Sequence, residues 1–185
     1  MNVLVACEFS GRVRDAFARR GHYAVSCDLL DSESPGEHIK GDVLHYIDDG
    51  WDLIVAFPPC TDLAASGARH WPAKRADGRQ AAAVEFVQRI WAARCPRVAV
   101  ENPIGYLSTA FRKPSQIVQP WMFGHGETKA TCLWLRELAA LRATEVVEGR
   151  RGLVWRMPQT ADRWLKRSRT YLGVADAMAA QWGGA

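Results

Sequence analysis

Asp52-Leu53-Ile54-Val55-Ala56-Phe57-Pro58-Pro59-Cys60 is an apolar run of strand length that stops at two prolines and delivers a thiol just past its carboxyl end. A continuous Leu/Ile/Val run reads as a strand buried on both faces, and proline ends it because it brings no N–H to a ladder. Roughly 40 residues later, Arg97-Val98-Ala99-Val100-Glu101-Asn102-Pro103 repeats the device with a carboxyl group and an amide in place of the thiol. Open α/β sheets hold their ligands outside the carboxyl ends of the strands. A thiol and a carboxyl group are therefore expected on one edge of one sheet.

The flanking sequence extends this frame. Residues 3–6 read as a first strand, 13–20 as a helix and 23–27 as a second strand ending at Asp28, together a βαβ unit. A polar loop at 31–37 is followed by a short third strand at 39–43 and by the fourth at 53–57. In 77–94 the apolar positions 83, 84, 86, 87, 90 and 91 have helical spacing with a wide buried face, and 98–100 is a fifth strand. Such alternation predicts an α/β fold with a mostly parallel sheet and helices on both faces. Beyond Pro103 the pattern loosens: a short helix at 104–111, an irregular or strand segment at 117–122, a strand at 131–135 after a turn at Gly124 and Gly126, and a terminal helix at 173–181. Residues 140–160 match no regular pattern.

With 185 residues, 48% of them hydrophobic, the chain supports one full core, and residues 1–185 are read as a single domain. No apolar run approaches the roughly 20 residues that span a bilayer, and the start lacks a basic flank and cleavage site, so a cytoplasmic protein is expected. The cysteines at 7, 27, 60, 95 and 132 show no Cys-x-x-Cys spacing, which suggests neither a disulfide frame nor a metal site. The net charge of +4 is modest, but residues 142–169 carry eight Lys or Arg against three acids, with Trp155 and Trp164 interleaved. That is the footprint of a surface facing a polyanion, or of a solvated basic face with two core tryptophans.

Several residues carry chemistry. Glu8-Phe9-Ser10-Gly11 lies between the first strand and its helix, where free backbone N–H groups and a glycine admit a ligand close to the main chain. Asp28 stands where nucleoside-binding folds place the acid that holds ribose hydroxyls, and Gly41-Asp42 could accept from an adenine amino group. Either acid could equally be a turn or helix cap. Cys60 is read as a nucleophile in a shaped loop, against the plainer reading of a small buried hydrophobe. Glu101 ends a buried strand, a costly place for a carboxylate unless it is paired or functional.

In this order and spacing the residues resemble the DNA cytosine carbon-5 methyltransferase family, and the match covers roughly the first 105 residues. The resemblance implies a Rossmann-like methyltransferase fold that uses S-adenosylmethionine. Phe9, Ser10, Gly11, Asp28, Asp42 and Pro58 would then line the cofactor site, Cys60 would add to cytosine carbon 6, and Glu101 would hold ring nitrogen 3. In Glu127-Thr128-Lys129-Ala130-Thr131, Lys129 and Thr131 stand where the family has two arginines. Lys129 would neutralise charge on the ring oxygen, without the planar fork of arginine. Residues 167–175 resemble the family's closing motif, which returns to the cofactor pocket.

The family's target-recognition region is replaced here by a basic insert at about 136–166, as in the compact phage and prophage members the chain resembles. Arg150, Arg151, Arg156, Arg167 and Arg169 are the expected DNA contacts. No metal is implied. The expected function is low-specificity methylation of cytosine in DNA. The alternatives are pyrimidine modification in RNA or a nucleotide, and a non-catalytic nucleic-acid-binding protein on this scaffold. The oligomeric state is left open, a dimer among the options.

Overall fold

The computed structural model describes residues 1–184. Seven strands form one sheet: β1 (Asn2–Ala6), β2 (Tyr23–Asp28), β3 (His38–Lys40), β4 (Leu53–Ala56), β5 (Arg97–Pro103), β6 (Gln116–Val118) and β7 (Thr131–Arg136), in the order β3-β2-β1-β4-β5-β7-β6. The five strands from β3 across to β5 are parallel, and β7 runs antiparallel to both of its neighbours. All four residues of β4 are buried, as its unbroken apolar run requires. Each large aliphatic side chain so buried contributes roughly 1.5–3 kcal/mol.

The seven α-helical segments are α1 (Arg12–Ala18), α2 (Trp71–Ala76), α3 (Arg79–Trp91), α4 (Leu107–Ala110), α5 (Leu153–Arg156), α6 (Arg163–Ser168) and α7 (Leu172–Trp182). Helices α1 and α7 pack on one face through Phe17, Val174 and Met178 over Val3, Val5 and Val55. Helix α3 covers the other face with Val84, Val87 and Ile90 over Leu4, Ile54 and Val98. Alternation along each central strand supplies both faces at once. Among the described residues, no helix is long and apolar enough to cross a membrane.

Two features depart from the sequence expectation. The third strand ends at Lys40 instead of reaching Val43, because Gly41 follows it and Asp42 opens a 3-10 turn at Val43–His45, its Oδ1 accepting from the Leu44 N–H at 3.0 Å. The segment after Cys60 folds into a 3-10 turn (Ala65–His70) and helix α2, neither of which the sequence pattern signals. Strand order reverses between β1 and β4, which opens a crevice outside their carboxyl ends.

Candidate active site

The β1–α1 turn forms the floor of the crevice on one side. Gly11 has φ 71°, and a Cβ there would lie 2.5 Å from the Arg14 guanidinium, so only glycine fits. The buried Glu8 carboxylate accepts from the Val13 N–H at 2.8 Å, the Arg14 N–H at 3.3 Å and the Ser10 hydroxyl at 3.0 Å. It therefore fills the N-terminus of α1 with an internal acceptor, and burial pushes its pKa up. Phe9 is buried, with its ring 6.4 Å from that of Trp164. Arg14 is 1% exposed and donates to Ser26, Ser32, Ser34 and Pro35, pinning the β2–β3 loop against α1.

Asp28 and Asp42 stand at the carboxyl end of β2 and just past that of β3, close enough for both charges to act on Cys7. Asp28 Oδ1 accepts from the Leu30 N–H at 3.0 Å, and burial raises its pKa. Each acid is thus a turn residue.

Past β4, Pro58 is buried and its carbonyl accepts from Asn102 Nδ2 at 2.9 Å, which joins the thiol loop to the end of β5. The Cys60 carbonyl accepts the N–H groups of Leu63 and Ala64 at 3.0 and 2.9 Å, and the Leu63 carbonyl accepts from the Tyr106 N–H at 2.8 Å. A Cβ on Gly105 would fall 2.1 Å from the Leu63 carbonyl oxygen, so the two loops approach closely only because residue 105 is glycine. Cys60 itself is exposed, unlike the buried Cys27, Cys95 and Cys132. Its Sγ nevertheless sits low among neighbouring atoms, and this desolvation, followed by the nearby Glu101 carboxylate, raises the thiol pKa, while Lys129 and Arg167 pull it down.

Glu101, Lys129, Thr131 and Tyr171 line one recess. Burial holds the Glu101 pKa up, against the Lys129 charge and a hydrogen bond with Thr131. Lys129 Nζ donates to the Arg167 carbonyl at 2.7 Å, and its backbone N–H to Gln119 at 2.9 Å. The structure thus brings Cys60, Glu101, Lys129 and Arg167 together from four separate parts of the chain.

The basic segment is mostly irregular. Arg150, Arg151 and Arg156 are exposed, and the Arg150 guanidinium stacks 3.7 Å from the Trp121 ring centroid. Arg169 makes a two-pronged ion pair with Glu33, at 2.6 and 2.8 Å, which ties this segment to the β2–β3 loop. Trp164 is 56% exposed, whereas the side chain of Trp155 lies outside the described residues. The roles of Asn102 and Gly105 are not legible in the sequence, although Asn-Pro at the end of a strand is a signal that marks the first position. Among the described residues, no group of three or more His, Cys, Asp or Glu could hold a metal ion.

Neither a family model nor a curated protein matches this chain. Among solved structures, the chain is similar to a protein assigned as a DNA modification methyltransferase encoded within a prophage of E. coli. The TM-score is 0.52 at 14% identity, over 80% of this chain and 52% of that one, so the chain spans about half the length of that protein. The 16S rRNA methylase RmtB aligns over 73% of this chain and 55% of its own, at 17% identity and a TM-score of 0.35, too low to bear on the argument. At these identities the likeness is one of fold. Sheet order, switch-point crevice and likeness define an α/β, Rossmann-like fold.

Proposed function

We propose that this protein methylates carbon 5 of cytosine in DNA, using S-adenosylmethionine and a transient covalent bond to Cys60. The observation that carries this reading is the meeting of an exposed thiol with a half-buried carboxyl group and two cations at the carboxyl edge of β4 and β5. The fold likeness to an E. coli prophage protein assigned as a DNA modification methyltransferase supports DNA as substrate.

The crevice suits this cofactor by charge. Glu8 already fills the helix N-terminus where a phosphate-binding fold would receive its anion, and Asp28 and Asp42 add two more acids. A pyrophosphate would meet repulsion there, whereas a ligand with a sulfonium, an ammonium group and ribose hydroxyls finds acceptors. Phe9, Ser10, Gly11, Asp28, Asp42 and Pro58 are the residues that would hold it. When bound, S-adenosylmethionine supplies an electrophilic methyl group to a carbon made nucleophilic beside it.

Cytosine carbon 5 becomes nucleophilic once the Cys60 thiolate has bonded to carbon 6 and the ring electrons have moved toward nitrogen 3. Glu101, whose pKa burial raises, is the acid placed to donate a proton to that nitrogen as negative charge develops. When Glu101 takes up a proton, its charge no longer opposes ionisation of Cys60, which leaves Lys129 and Arg167 to favour the thiolate. Thiol and carboxyl thus act as a coupled pair. After transfer, loss of the carbon 5 proton to solvent, expulsion of the thiolate and return of the nitrogen 3 proton to Glu101 restore the aromatic ring.

The test is DNA carrying 5-fluorocytosine, from which fluorine cannot leave as a proton does. The expected result is a denaturation-resistant adduct that needs S-adenosylmethionine and maps to Cys60, absent in Cys60→Ser. An adduct on another cysteine, or none, overturns the proposal. RNA and free nucleotide assayed beside DNA decide the substrate.

A further inference from the structure

We infer that Lys74 is a positioning residue for Cys60, the cation that fixes the peptide immediately after the nucleophile. This rests on the proposed role of Cys60. Lysine is rarely buried unless paired, yet Lys74 is 8% exposed on the six-residue helix α2. Its Nζ donates a hydrogen bond to the Thr61 carbonyl and stands 3.1 Å from Asp62 Oδ1, an ion pair without hydrogen-bond alignment. Both partners follow Cys60 directly in the chain.

Gln80 reinforces the grip. It is 1% exposed, donates to the Asp62 carbonyl at 3.1 Å and accepts from Arg75 Nε at 3.0 Å, so α2 and the start of α3 act on the loop together. On the other side of Cys60, Asn102 holds the Pro58 carbonyl. The nucleophile therefore sits on a short bridge with both abutments fixed by buried side chains. Along this bridge Pro59, Cys60 and Thr61 are exposed for a substrate to meet.

This arrangement matters because the span from Cys60 to Gly78 holds only a 3-10 turn and α2. Long connections of that kind are mobile unless tied, and misplacement of an attacking atom by about 1 Å costs up to roughly a hundredfold in rate. Lys74 directs its charge at Asp62 and the Thr61 carbonyl, so its effect is on place and not on ionisation.

The experiment compares Lys74→Met and Lys74→Arg with the wild type in single-turnover trapping on 5-fluorocytosine DNA, beside hydrogen exchange of the Leu63 and Ala64 amides. Arg136→Met serves as control, since Arg136 also caps carbonyls, those of Trp91, Ala93 and Cys95, but at the far end of α3. The expected result for Lys74→Met is adduct formation slowed roughly ten- to hundredfold, with faster exchange at both amides. Cofactor affinity and the pH midpoint of Cys60 alkylation should not move, and Lys74→Arg should recover part of the rate. Wild-type exchange and wild-type rate in Lys74→Met overturn the inference, as does an equal loss of rate in Arg136→Met. If the wild type forms no adduct at all, the proposed function falls, and the exchange comparison still decides whether Lys74 holds the loop.

Discussion

On the β1–β3 side of the crevice the acids are held by near neighbours in sequence: Glu8 by residues two, five and six positions on, Asp28 and Asp42 each by an N–H two positions on. On the β4–β5–β7 side the holding contacts cross the chain, with Asn102 reaching back 44 residues to Pro58 and Lys129 forward 38 residues to Arg167. A site made of local turns tolerates change elsewhere, because its hydrogen bonds form whenever the turn forms. A site made of distant segments depends on every contact that sets their separation. The cofactor half and the base half of this crevice should therefore respond differently to mutation.

The largest expected effect is on the base half. Glu101→Gln keeps size and polarity but cannot deliver the proton, so turnover should fall by about 10²–10⁴ with cofactor affinity unchanged, read by single-turnover kinetics beside calorimetry. A rise in the Michaelis constant for DNA with turnover preserved would make Glu101 a binding residue. Gly105→Ala comes next. Its Cβ would overlap the Leu63 carbonyl, forcing the β4 and β5 loops apart at a cost of about 1–3 kcal/mol in thermal or denaturant unfolding. Adduct formation should fall while S-adenosylmethionine still binds. Parallel loss of both functions would break the comparison, since the two halves would then be one unit.

A smaller effect is expected in the cofactor half. Asp28→Ala or Asp42→Ala should raise the cofactor dissociation constant roughly ten- to hundredfold, the worth of a hydrogen bond to a charged acceptor, and leave the alkylation rate of Cys60 unaltered. The smallest effect is electrostatic. The Glu101 carboxylate raises the Cys60 pKa and Lys129 lowers it, so the pH midpoint of Cys60 alkylation should move down in Glu101→Gln and up in Lys129→Met. Shifts of the opposite sign would show that these side chains do not face the thiol.

Much of the frame is legible along the chain. Strands β1, β2, β4 and β5 announce themselves as apolar runs, and the positions of Cys60 and Glu101 follow from where those runs stop. The cofactor half is legible for the same reason: its partners lie within a few residues of one another. The third strand reads too long in the sequence because Ile39 and Val43 look alike in a pattern, and only the Asp42 bond to Leu44 shows that the chain has already turned. Helix α2 leaves no signal because six residues holding a proline, between Gly67 and Gly78, form no periodic stripe.

The sequence by itself determined the parallel core, its two buried faces and the chemistry offered at the strand ends, because burial and strand termination are properties of short stretches. Only the tertiary structure decided that β7 enters antiparallel between β5 and β6, bringing Lys129 and Thr131 to Glu101. It alone decided that Gly105 lets two loops touch and that Lys74 buries its charge beside the thiol loop. Those outcomes depend on distances between residues far apart in the chain, and such distances are fixed by packing the whole sheet and its helices rather than by any one segment.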